Sequence, residues 1–158
     1  KEAVKNNPDN PEARRNLGLV YEIAGRYRDA IDEYRAVIRL SPNNPDIYYN
    51  LGWALIESKR YIEALVPFKK AILLNPENTN AHYSLGWVYG ELKRHEDAIA
   101  TLKKVLRLDS NHLEARARLN TMQNHLREIS AQKQDLPSAP TSLFKAFEHD
   151  KPEILISP

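Results

Sequence analysis

The sequence predicts an all-α chain, built as an α-solenoid of helix–turn–helix repeats with a capping helix at its C-terminal end. Three observations carry that expectation. Residues recur in register every 34 positions, as in "NLGWALIESKRYIEAL" (50–65) and "SLGWVYGELKRHEDAI" (84–99). Small and apolar residues fall at the same points of each period. Each period also closes on a stretch such as "SPNNP" or "NPENT", where Pro and Asn break a helix.

With Pro11 as position 1, residues 1–10 fit positions 25–34, placing Ala3 at 27, Val4 at 28 and Pro8 at 32. They are expected to be the end of a truncated preceding repeat, which makes the chain a fragment of a longer array. Three full units follow at 11–44, 45–78 and 79–112. Position 7 is Leu17, Leu51 and Leu85, and position 8 is Gly18, Gly52 and Gly86. Position 20 is Ala30, Ala64 and Ala98, and position 24 is Tyr34, Phe68 and Leu102. Each unit reads as two helices separated by a polar turn such as "AGRY" or "SKRY". The small residues at positions 8 and 20 let the two helices approach closely, and a bulky replacement would overpack the contact. Residues 113–134 read as the capping helix, with Leu119, Met122, Leu126 and Ile129 as one apolar stripe. Residues 135–158 read as a linker and a C-terminal tail.

The totals narrow the function. Of 158 residues, 42% are hydrophobic and 28% charged, a globular composition. The 23 basic and 21 acidic side chains are interspersed and leave a net charge of +2, so no basic face calls for nucleic acid. No apolar run is long enough for membrane insertion. The absence of cysteine leaves neither a disulfide framework nor a thiolate metal site, which fits a reducing, cytoplasmic location.

The agreement of three consecutive units resembles the tetratricopeptide repeat family, over about residues 11–129. The resemblance implies a right-handed solenoid whose concave inner groove binds extended peptides or helices of partner proteins. At about 100° per residue, positions 4, 7, 8 and 11 of the first helix cluster on the face toward the second helix. Position 9 lies about 150° away from that cluster. The opposite stripe contains Arg15, Asn16 and Leu19 in the first unit, Tyr49, Asn50, Trp53 and Glu57 in the second, and Tyr83, Ser84 and Trp87 in the third. Together with Arg118 of the capping helix, these are the residues expected to line the groove. Aromatic rings supply contact area with little rotamer entropy to lose, and Asn pairs with a peptide backbone. The competing reading has the position-9 rings lean sideways and serve only to stack neighbouring units.

One subclass of the family grips acidic chaperone tails with a clamp of Lys, Asn, Asn, Lys and Arg. Here the corresponding positions hold Arg15, Leu19, Asn50, Asn80 and Ser84, so the last two cations are missing. Asn16 and Asn50 resemble the asparagine ladder of arrays that hold peptide backbone, and Ser84 interrupts it.

No motif for chemistry survives inspection. "HEDAI" at 95–99 begins like a zinc-protease helix but ends in Ile99, without the second histidine. No nucleophile elbow, dinucleotide fingerprint or phosphate loop is present. The expectation is therefore no enzyme, no metal and no cofactor. The tail carries two apolar clusters, Leu143, Phe144 and Phe147, then Ile154, Leu155 and Ile156. Three roles are open for them: a poorly ordered terminus, docking into the groove of this molecule or of a neighbour in self-association, and a ligand for another protein. The expected function is a non-catalytic scaffold or adaptor for another protein. The alternative is a regulatory or substrate-recruiting arm of a larger enzyme, such as a transferase.

Overall fold

In the computed structural model, the described residues are 7–134. They divide into two units, one ending at His125 and the other beginning at Leu126. The described residues form seven α-helices and no strand: α1 (Pro11–Ile23), α2 (Tyr27–Leu40), α3 (Pro45–Glu57), α4 (Tyr61–Leu74), α5 (Thr79–Glu91), α6 (His95–Leu108) and α7 (Leu113–Gln134). Helices α1–α6 pack in sequence, each against the next, as an all-α helical-repeat solenoid. The tail clusters at Leu143, Phe144, Phe147, Ile154, Leu155 and Ile156 lie outside the described residues.

The helix starts repeat as faithfully as the core. Asn10, Asn44 and Asn78 stand before α1, α3 and α5, and each side-chain oxygen accepts backbone N–H bonds from the first turn. Those bonds satisfy donors that a helix N-terminus otherwise leaves unpaired. At the same point before α7, His112 takes over, its Nδ1 facing the Ala115 N–H at 3.4 Å. The second helices start differently. Arg26, Arg60 and Arg94 provide no side-chain cap. Each instead pairs with an acid three residues on, Asp29, Glu63 or Asp97, which sits in the first turn where the helix dipole favours negative charge.

One regular contact corrects the helical-wheel assignment. The wheel groups position 4 with the face toward the second helix. The structure turns that side chain to the preceding loop, where Arg14, Tyr48, His82 and Arg116 bond the carbonyls of Pro8, Pro42, Pro76 and Ser110; Arg14 also keeps the direction given by the wheel, pairing with Glu33 of α2 at 2.9 Å. Position 3 takes the inward place instead: Ile47, Ala81 and Ala115 are almost fully buried. The apolar stripe of α7 is corrected too. Leu119 and Met122 are buried, whereas Ile129 is 40% exposed.

The helix pairs close on glycine. A Cβ built on Gly18 would stand 2.6 Å from the Tyr34 ring, and one on Gly52 would stand 2.7 Å from Phe68. On Gly86 the nearest atoms belong to Leu102, at 3.1 Å. Tyr34, Phe68 and Leu102 are wholly buried, as are Ala30, Ala64 and Ala98. Between the helices of each pair, position 15 adopts a left-handed backbone: Gly25 at φ 69°, Lys59 at 58° and Lys93 at 60°. Only glycine takes that conformation without steric cost.

The close approaches and the left-handed turn each give a prediction. Gly52→Ala is expected to lower unfolding free energy by about 1–3 kcal/mol in chemical denaturation, and Gly86→Ala by less, since Leu102 leaves more room than a ring. Lys93→Gly is expected to raise stability by about 0.5–1 kcal/mol in the same assay, by relieving left-handed strain.

Candidate functional site

Between α3 and α5 the chain encloses an open cavity of about 380 Å³. Its lining is Trp53, Ile56 and Glu57 from α3, Lys59 from the following turn, Tyr61 from the start of α4, and Tyr83, Ser84 and Trp87 from α5. Five of the residues singled out in the sequence therefore meet around one space: Trp53, Glu57, Tyr83, Ser84 and Trp87. The others on that stripe, Arg15, Asn16, Leu19, Tyr49, Asn50 and Arg118, are not part of this lining.

The two tryptophans occupy the same position of the repeat and have different surroundings. Trp53 is 44% exposed and presents its indole to the cavity. Trp87 is half-buried against the core. Its ring meets Tyr61 edge-on at a centroid distance of 5.7 Å, and the Arg118 guanidinium lies 5.1 Å from the ring centre. Arg118 also reaches the Glu91 carboxylate at 2.7 Å. Sideways stacking thus describes Trp87 in part, although the same residue still borders the cavity. Gly90 makes room for this arrangement: a Cβ there would meet the Arg118 guanidinium at 3.4 Å.

Tyr49 departs from the stripe drawn from the wheel. Its ring packs edge-on against Phe68, 5.8 Å between centroids, on its own helix pair. Phe68 lies against Gly52, and Tyr49, one turn earlier on α3, covers that ring. Ser84 is 3% exposed and forms part of the cavity wall. Tyr83 stacks on His112 at 4.8 Å.

Two lining residues were not marked by the sequence, Ile56 and Lys59. Tyr61 belongs with them, since its position is shared by Tyr27 and His95 at the head of each second helix. The signal for Tyr61 was that recurrence of rings. His95 turns toward the next helix in a comparable way, its Nδ1 3.3 Å from the Met122 sulfur. No group of three His, Cys, Asp or Glu side chains among the described residues is placed to hold a metal ion. No described helix is long and apolar enough to cross a membrane.

The cavity lining carries one carboxylate, Glu57, and one cation, Lys59, and Glu57 acts in turn on a second carboxylate, Glu22. Burial pushes the Glu22 carboxyl above its ordinary value; the hydroxyl of Tyr34, donating at 2.9 Å, works against that, and the neighbouring Glu57 adds to it. Burial likewise pushes the Tyr34 phenol up, with Glu22 reinforcing the shift. The second Glu22 oxygen, Oε1, is buried without a hydrogen-bond partner.

Three family models match the chain: one described as a TPR repeat over residues 23–55, and two described as tetratricopeptide repeat over 55–120 and 1–32. Among solved structures, the first TPR of Spaghetti (RPAP3), bound to the HSP90 peptide SRMEEVD, is 27% identical, with a TM-score of 0.71. That match covers 74% of this chain and 93% of the other. The crystal structure of MamA is 26% identical with a TM-score of 0.76, covering 83% of this chain and 78% of that one. The first TPR domain of the human RPAP3 protein is 27% identical with a TM-score of 0.69, covering 80% and 97%. No curated protein sequence matches the chain.

The raised Glu22 carboxyl gives a pH prediction. Its ionisation is disfavoured in the fold, so the penalty is absent below the ordinary value of 4.5 and complete above the raised folded value. Glu22→Gln keeps an acceptor for Tyr34 and removes the charge. The variant is expected to melt higher than the parent at pH 7, with the difference vanishing as pH falls below about 4.5.

Proposed function

The chain belongs to the tetratricopeptide repeat family, and from that premise we propose that it is a non-catalytic interaction module that holds an extended or helical segment of another protein. The segment lies against Trp53, Tyr83 and Trp87, with Glu57 and Ser84 beside them. One observation carries this reading: an indole 44% exposed at the mouth of a cavity of about 380 Å³ walled by three further aromatic rings. Such a surface offers buried area to a partner without ordering a flexible side chain, which is the character of interface anchors. Arg15, Asn16, Leu19 and Asn50 extend the same surface toward the first repeat.

The Spaghetti structure, with its bound HSP90 peptide, supports peptide capture by this kind of repeat array. The chemistry of the captured segment is nevertheless different here. The positions where an acidic-tail clamp needs cations hold Asn80 and Ser84, and Ser84 is nearly inaccessible. Glu57 adds a carboxylate to the wall. An acidic C-terminal tail is therefore a poor match, and the partner segment combines apolar contact with neutral or basic groups. The partner is another protein, and its binding strength is in the range of about 1 μM, roughly 8 kcal/mol.

The test uses random peptides displayed for selection on the intact chain. Peptides that bind are expected to lose affinity by about 30-fold in Trp53→Ala, with far-UV circular dichroism unchanged. Trp87→Ala is expected to lower the melting temperature as well, because its ring is packed between Tyr61 and Arg118. Undiminished binding in Trp53→Ala would remove the cavity from the binding site.

A further inference from the structure

The cavity has a counterpart one repeat further on, and there the space is filled. In the third unit, Trp87 and Glu91 stand four residues apart on α5, and Arg118 of α7 lies over the ring and against the carboxylate. The same guanidinium is 3.5 Å from the Trp87 carbonyl oxygen. In the second unit, Trp53 and Glu57 stand four residues apart on α3 in the same relation. The residue 34 positions before Arg118 is Ser84, which is too short to reach either group. Among the described residues Glu57 has no ion-pair partner, and no cation stacks on Trp53.

From this juxtaposition we infer that the cavity is a receptor for an arginine side chain of the bound segment, which stacks on Trp53 and pairs with Glu57 as Arg118 does with Trp87 and Glu91. The inference rests on the peptide-binding reading above and names the residue that the site selects. Three features favour it. An indole face attracts a guanidinium through its quadrupole, and more strongly in a partly enclosed space. A carboxylate one turn away takes the guanidinium N–H groups in the plane that stacking leaves free. Glu22, whose carboxyl Glu57 helps to raise, adds negative potential on the same side of the array.

Two differences between the sites fix how the arginine enters. Gly90, which opens the inner path for Arg118, is replaced by Ile56 in the second unit. The guanidinium therefore comes from the cavity mouth and not along the helix surface. Lys59 also borders the cavity, on an exposed side chain in the turn after α3. Among the described residues it neither pairs with Glu57 nor stacks on Trp53, so the two places that Arg118 takes in the third unit stay open. Residues 128–158 contain no arginine, so that stretch does not supply the residue.

The same displayed peptides provide the test. Peptides selected on the intact chain are expected to share an arginine at one register position. A double-mutant cycle then pairs replacement of that arginine by citrulline, a neutral isostere, with Glu57→Gln on the protein. Each single change is expected to weaken binding by about tenfold, and the double change by little more than either alone. Peptides that depend on Trp53 but share no arginine would overturn the inference and leave the peptide-binding reading intact. So would an arginine whose replacement is additive with Glu57→Gln. A selection that yields no Trp53-dependent peptide would overturn both.

Discussion

In each helix pair a large side chain from the second helix lies directly on a glycine of the first: Tyr34 on Gly18, Phe68 on Gly52 and Leu102 on Gly86. Protein interiors are packed too tightly for an added methyl group to pass unnoticed at 2.6–2.7 Å from a buried ring. The contact therefore fixes how far apart the two helices stand and how the first is rotated about its axis. Once the glycine faces inward, the next residue is turned by about 100° toward the flank of the pair. That residue is Leu19, Trp53 or Trp87. The site depends on this rotation, because it brings the tryptophans to the seam between one helix pair and the next.

The fold was legible because its constraints fall on residue identity. A side chain on Gly52 would run into Phe68, and Ala64 is wholly buried where α4 packs, so small residues of both types recur every 34 residues. The link from position 4 to the preceding loop was invisible for the opposite reason. Arg14, Tyr48, His82 and Arg116 share no chemistry beyond a polar hydrogen at the end of a long side chain. A geometric role that several residue types can fill leaves no repeated letter. The helix caps were half visible: Asn10, Asn44 and Asn78 recur, and His112 does the same job in a different residue.

The site was legible as a stripe and not as a cavity. A helical wheel describes one helix, and it placed Trp53 and Trp87 alike. What separates them comes from other elements: Arg118 lies over Trp87, while Ser84 stands at the corresponding point beside Trp53. Tyr49 shows the same limit. The wheel describes α3 alone, whereas Phe68 extends from α4 far enough to meet the Tyr49 ring edge-on and leave it half-buried. Lys59 belongs to a turn, where helical periodicity gives no direction for a side chain.

The comparison of the two seams explains why one combination of residues serves both packing and binding. A repeat array is held together by the helix pairs themselves and by the interfaces between neighbours. At the seam between α5 and α7, Arg118 closes the interface from within, joining Trp87 and Glu91 to the last helix. At the seam between α3 and α5 Ser84 stands where Arg118 would be, and among the described residues Glu57 makes no ion pair. That seam lacks the stacked and paired cation that its neighbour has. An arginine supplied by a partner would add to it what Arg118 adds to its neighbour. Binding there would strengthen the stacking of the second and third repeats, because a ligand that favours the folded array stabilises it by mass action. Recognition would then use the same physical contact that builds the fold, with one component supplied by a second protein.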